Sequence, residues 1–199
     1  MKLYYAPGAC SLASHIVLRE TGLDFQIEKV NLRDKVTESG ADFRQINPLG
    51  YIPALQLDSG EVLTEGPAIM QYVADQKPDS VLASSGLARY QTVGWLNLIA
   101  TELHKTCSPL FAPTITDEQR EPIVARLSAR LDYLEQTLSQ HAYLTGSEFT
   151  VADAYFFVVT GWFGRLNISL HKWPHIERFR EVVAARPAVH AAMQAEGLI

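Results

Sequence analysis

The spacing of apolar residues changes its rhythm once along the chain, near residue 80. Before that point, short β-prone runs alternate with helical stretches. Lys2–Tyr5 (KLYY) reads as a strand, stopped by the turn residues Pro7 and Gly8. From Ser11 to Glu20, apolar side chains at Leu12, Ile16 and Leu18 predict a helix, which Gly22 closes as a C-cap. Phe25–Val30 (FQIEKV) alternates loosely, as an edge or half-buried strand does. Arg33–Gly40 is polar and loop-like. Ala41–Ile46 carries a weak helical signal before the turn Asn47-Pro48-Leu49-Gly50. IPALQL and EVLT give two strands around the turn Asp58-Ser59-Gly60. Glu65-Gly66-Pro67 then opens a helix running to about Gln76, with Pro67 suited to its first turn. The order is β-α-β-α-β-β-α, one mixed sheet with helices.

After Lys77-Pro78-Asp79-Ser80 the strand patterns disappear. Leu87–Lys105 reads as one long helix. Ile123, Leu127, Leu131, Leu134 and Leu138 recur at helical spacing and mark a second, amphipathic one. Thr150–Phe163 is apolar nearly all round, as a helix inside a bundle is. Thr150 and Asp153 place side-chain oxygens at both ends of its first turn, a capping pair with a structural role. Two shorter helices, His175–Ala185 and Ala188–Ala195, flank Arg186-Pro187. The fold class is α/β followed by all-α, with a mixed domain over residues 1–79 and a helical one over 86–199.

Composition narrows the function classes. The chain has 199 residues, 47% of them hydrophobic and 20% charged, with a net charge of -5. That balance fits a folded soluble protein and disfavours nucleic-acid or anionic-membrane partners. No run approaches the roughly 18 apolar residues of a membrane span, and the first residues lack a secretory signal. Two cysteines cannot build a disulfide framework, so free thiols in the cytoplasm are expected.

Four places carry candidate chemistry. Cys10 follows a strand and a turn and directly precedes a helix, where unpaired N–H groups favour the thiolate. That is the layout of thioredoxin-like proteins, but Cys10-Ser11-Leu12-Ala13 lacks a second, resolving cysteine, which disfavours a dithiol oxidoreductase. On position alone, Cys10 is equally a reactive thiol or a structural cysteine. At Ile52-Pro53, a cis bond would offer the Ile52 backbone to an extended ligand. A trans proline at a strand start is the simpler reading of these two residues by themselves. Glu65-Gly66 sets a carboxyl group beside helix N–H donors, which together suit an α-amino-acid head, although for these two residues by themselves helix capping by Glu65 is the simpler reading. Asn97, Glu102, His104 and Lys105 cluster at the end of a bundle helix. His104 is able to hydrogen-bond or protonate a sulfur, whereas a solvated helix end explains Lys105 but not Asn97. No complete metal-ligand set appears, nor a phosphate-binding or nucleophile-elbow motif.

With IPAL, TEGPAI and TVADAY in this order, the whole chain resembles the cytosolic glutathione transferases. PGACSLASHI and WLNLIATELHK resemble the bacterial beta class in particular. The resemblance implies a thioredoxin-like, glutathione-binding first domain, a helical second one, and glutathione as co-substrate with no metal. Cys10 then matches a cysteine at the glutathione sulfur, and Lys35 a lysine meeting the glycyl carboxylate. Ile52 precedes the family's cis proline, Pro53, and Glu65 with Gly66 holds the γ-glutamyl head. Asn97 and the stretch Thr101, Glu102, Leu103 and His104 complete the site, partly across a homodimer, with His104 near the thiol. Tyr5 and Ser11 lie close enough to contribute. Phe111, Tyr155, Trp162 and Phe163 are candidate walls for a small hydrophobic electrophile in a cleft between the domains, with bundle core as the alternative. The activity implied is glutathione transfer. Thiol exchange, reductive dehalogenation or isomerisation in aromatic catabolism are alternatives, and a non-catalytic interaction protein is the remaining one.

Overall fold

Strand β1 (Lys2–Tyr5) is buried on nearly every side chain, so it lies inside the sheet rather than at its rim. The computed structural model describes residues 1–80, 82 and 85–199. Helix α1 (Ser11–Thr21) follows and ends as its sequence predicts. Gly22 adopts φ 64°, and its N–H closes the last turn on the Arg19 carbonyl. Strand β2 (Gln26–Asn31) then pairs parallel with β1. Strands β4 (Ala54–Gln56) and β5 (Val62–Thr64) add antiparallel on the other side of β1.

Two local expectations need correction. The polar stretch after Asn31 contains a short strand, β3 (Val36–Thr37), antiparallel to β2. Thr37 is buried, and its hydroxyl oxygen accepts the Ala41 N–H at 3.1 Å, which folds the loop back on β2. The sheet therefore runs β3-β2-β1-β4-β5, and of the two readings of its pattern β2 is the half-buried strand and not an edge. The helix expected over Ala41–Ile46 is a single 3-10 turn, Phe43–Gln45, capped by Asp42 and stopped by Asn47-Pro48. Its one buried side chain, Phe43, stacks at a tilt on Tyr4 in the core of the sheet. Helix α2 (Gly66–Asp75) carries Pro67 in its first turn, as its sequence predicts.

Helices dominate the remainder. The run expected as one helix from Leu87 is α3 (Gly86–Leu98), a π-helical turn (Ile99–His104), and the short α4 (Lys105–Cys107). Helix α5 (Asp117–Gln140) buries Leu127, Leu131, Leu134 and Leu138 of the stripe read from spacing alone, and leaves its first member, Ile123, half-buried. In α6 (Val151–Gly161), every residue from Val151 to Thr160 is buried. Helices α7 (Pro174–Ala184) and α8 (Pro187–Ala195) close the chain. No helix among the described residues is long and apolar enough to cross a membrane.

Packing divides the chain into two compact units, Met1–Ala83 with Ala185–Ile199, and Ser84–Ala184. Residues 185–199, read from pattern as part of the helical domain, thus group with the sheet. The reason is polar as well as apolar. Arg186 forms a two-pronged pair with Glu20 on α1, at 2.6 and 3.0 Å, and Glu196 is buried against the same helix.

In the helical unit, the Asp153 carboxyl accepts three bonds, from the Leu144 N–H, the Thr150 N–H and the Thr150 hydroxyl, at 2.8, 2.8 and 2.7 Å. Burial nevertheless pushes its pKa up to about 6. Replacing Asp153 with Ala strands these buried donors and should cost roughly 2–4 kcal/mol in urea denaturation. A pKa raised by folding stabilises most below the unfolded value, and that contribution fades as pH rises through 6. The penalty should therefore be larger at pH 5 than at pH 7.

Candidate functional site

The turn between β1 and α1 is held from within. The Ala9 N–H donates to the Ala6 carbonyl at 3.1 Å, and Ser11 Oγ lies 3.2 Å from the Ala6 N–H and 3.3 Å from its carbonyl. Gly8 sits at φ 66°, a left-handed position at the tip of the turn. Cys10 is the residue that caps α1. It is half-buried, and its Sγ lies 3.4 Å from the Ile52 carbonyl oxygen.

The same turn is also held from the far end of the chain. The Gly8 N–H donates to Glu196 Oε2 at 2.9 Å, and a Cβ at Gly8 would come within 3.2 Å of Leu198. Glu196 Oε1 lies 2.9 Å from His15 Nδ1, and both side chains are 0% exposed. The Arg19 guanidinium donates through Nε to His15 Nε2 at 3.0 Å. With Nε2 accepting, Nδ1 carries the ring proton and donates it to Glu196. Neither Glu196, His15 nor Arg19 was singled out from sequence. A glutamate in a five-residue tail carries no local signal of a partner 181 positions away.

Tyr5 and Ser11 adjoin this turn, but both are buried, and the Ser11 hydroxyl is engaged with Ala6. Burial, then Glu196, pushes the Tyr5 phenol above its usual range, so the structure offers no phenolate there.

Facing Cys10, the Ile52–Pro53 peptide bond is cis, and Ile52 stands just ahead of β4. The Pro53 ring lies 3.6 Å from where a Cβ on Gly66 would stand, so the start of α2 lies beside this loop, with a side chain's first carbon at ordinary contact distance. Glu65 caps α2 at φ 66° and ψ 110°, a conformation that costs a non-glycine residue about 1–3 kcal/mol and is found at ligand clamps. Its side chain makes no capping hydrogen bond and is exposed, which removes helix capping as the explanation for the residue. Lys35 also has a positive φ, of 58°, and its ammonium donates to the Gly50 carbonyl at 2.8 Å. That bond uses one of three protons. Cys10, Ile52, Pro53, Glu65 and Gly66 thus form one cluster, with Lys35 tied to the same loop two residues before Ile52.

In the helical unit, the predicted residues fall on and just before the π-helical turn. Such turns are rare and recur at functional sites. Asn97 and Thr101 are exposed, with the Thr101 hydroxyl donating to the Asn97 carbonyl. The Glu102 carboxyl is paired with Arg126 and Arg130 of α5, at 3.0 and 2.8 Å, and these hold its pKa below the usual carboxylate value. Leu103 is fully buried, so it offers a ligand only its backbone. His104 is half-buried. Burial, then the charge of Lys105, pushes its pKa down to about 4, so the ring is neutral at pH 7.

The four aromatic residues divide sharply. Phe163 is 0% exposed, Tyr155 3% and Trp162 6%, which places all three in the core. Phe111 is 45% exposed and meets Trp162 edge to face. The second thiol, Cys107, is fully buried, and burial pushes its pKa up to about 12.

Comparison with known proteins follows the same division. Residues 8–76 match the model of the glutathione S-transferase N-terminal domain, and residues 98–187 that of its C-terminal domain. The chain is 48% identical to the glutathione S-transferase GstA of Escherichia coli O157:H7 over 100% of both chains. The chain belongs to the glutathione S-transferase family. A sphingomonad glutathione S-transferase solved in complex with glutathione superposes with a TM-score of 0.96 at 45% identity, covering 100% of both chains. The bacterial beta-class glutathione S-transferase of Sphingomonas chungbukensis gives the same values. Within the family, this transferase belongs with the bacterial beta class.

The contrast between its thiols gives a direct test. A half-buried thiol at a helix start exchanges with disulfides, whereas a buried one with a raised pKa does not. Intact-mass analysis after incubation with oxidised glutathione should find one adduct per chain, on Cys10. An adduct on Cys107 with Cys10 unmodified would reverse the assignment.

Proposed function

We propose that this chain is a glutathione S-transferase that activates the glutathione thiol for attack on small hydrophobic electrophiles. The observation that carries the reading is Glu65: an exposed carboxyl group, unused in capping and held at positive φ beside the first N–H groups of α2. Such a group takes the ammonium of an α-amino acid while the helix N–H groups take its carboxylate. Glu65 and Gly66 therefore hold the γ-glutamyl head. The Ile52 backbone, with Pro53, pairs with the cysteinyl unit, which brings the glutathione sulfur to Cys10. Lys35 meets the glycyl carboxylate with its remaining donors.

The thiol proton leaves to solvent, and the thiolate is stabilised by hydrogen-bond donors, among them His104. Asn97, Thr101, Glu102 and the Leu103 backbone complete the glutathione contacts in a homodimer working in the cytoplasm. Phe111, the exposed one of the four aromatic residues, faces the electrophile. A second reading, thiol exchange with glutathione, is favoured by one observation: Cys10 is the accessible thiol of the two.

Glu65 binds a part of glutathione that does not react, so it acts equally on ground and transition states. Replacing Glu65 with Ala should raise the glutathione KM by the loss of a charge-assisted contact worth roughly 1.5–3 kcal/mol, with little change in kcat. Steady-state kinetics with a chloronitrobenzene acceptor give both constants. An unchanged KM would mean that the γ-glutamyl head lies elsewhere.

A further inference from the structure

In the helical unit, a polar pair of side chains is set among aromatic rings. The Tyr155 hydroxyl of α6 lies 2.6 Å from His104 Nδ1. The His104 ring stands edge to face with Trp162, centroids 4.9 Å apart, and with Tyr155 at 5.9 Å.

Two proton arrangements fit such a pair. Either Tyr155 donates its O–H to a bare Nδ1, or Nδ1–H donates to the phenol oxygen. The distance favours the first, because N–H donors settle at about 2.9–3.0 Å from oxygen whereas O–H donors approach closer. Acid–base chemistry agrees. A phenol O–H is a stronger acid than a neutral imidazole N–H, and an imidazole nitrogen is a stronger base than a phenol oxygen. Protonation of both nitrogens is excluded at neutral pH by the burial and the Lys105 charge that keep the ring neutral. A neutral ring that accepts at Nδ1 carries its proton on Nε2.

We propose that Tyr155 is a positioning residue: its hydroxyl holds His104 in the Nε2–H tautomer, so that His104 presents a hydrogen-bond donor, and not a base, to the sulfur of bound glutathione. The tautomer follows from this pair alone, while the role of the donor rests on the function proposed above. His104 then stabilises the thiolate without taking the thiol proton, since Nε2 has no lone pair to receive it. It also gives a largely buried hydroxyl, first read as a wall of the electrophile site, a different task. Tyr155 touches His104 and acts on the sulfur through it.

The direct test is nitrogen-15 NMR of the imidazole nitrogens in the free full-length protein at pH 7. His104 should show a pyrrole-like, protonated Nε2 and a pyridine-like, bare Nδ1. The reverse pattern overturns the proposal, and this reading needs no variant. Tyr155→Phe should move His104 towards a mixture of tautomers. In the same variant, kcat should fall by about 3- to 10-fold, the range one lost hydrogen bond gives, with the glutathione KM within about twofold of wild type. A packing role alone would leave the tautomer unchanged, and an unchanged spectrum with unchanged kcat overturns the proposal. If the wild-type protein has the Nε2–H tautomer but conjugates no chloronitrobenzene acceptor, the proposed function fails and the pair assignment stands.

Discussion

A single buried carboxyl group governs the geometry of the thiol turn. Glu196 receives the Gly8 N–H on one oxygen and the His15 Nδ1–H on the other, with no exposure to solvent. The Gly8 bond fixes the turn that delivers Cys10 to the start of α1. The His15 bond reaches the interior of that same helix, so turn and helix are fixed together. Arg19 locks the arrangement by occupying the remaining His15 nitrogen, which prevents the ring from switching tautomer. Burying polar groups is costly unless each is matched, and here both Glu196 oxygens and both His15 nitrogens are paired. This is why the last residues pack with the sheet, although the chain leaves it for some hundred residues in between.

The two units solve different chemical problems. The first gathers backbone and charge: a cis Ile52–Pro53 bond, the exposed Glu65 at positive φ, and the Lys35 ammonium on the Gly50 carbonyl. The second holds a neutral histidine, kept neutral by burial and within hydrogen-bond distance of a phenol. Strain at Glu65 and the π-helical turn ending at His104 mark the same kind of place, where backbone regularity gives way to position.

Much of this was legible in the chain itself, and the failures have physical causes. The stripe from Leu127 to Leu138 and the Gly22 cap are local signals, and the structure reproduces both. Cys10 was legible as a helix-start thiol because turn residues precede it and helical spacing follows. Strand β3 was not, since two residues cannot display a period of two. Nor was the π-helical turn, because Ile99 to His104 fits a continuous helix equally well as a pattern. For Phe111, Tyr155, Trp162 and Phe163, sequence could not separate core from cleft, because aromatic residues serve both; their burial divides them. For Glu65, the missing side-chain cap bond sets aside the capping alternative.

The dependence of the thiol turn on Glu196 is best tested by Glu196→Gln, which keeps the shape and removes one acceptor. A glutamine oxygen can serve either Gly8 or His15, and its NH2 then faces the other donor. With Arg19 on Nε2, His15 cannot adapt. Glu196→Gln should lose about 1–3 kcal/mol in urea denaturation, together with a raised glutathione KM as the turn loosens. A variant as stable as wild type, with glutathione KM unchanged, would contradict the claim that this carboxyl group holds the site in place.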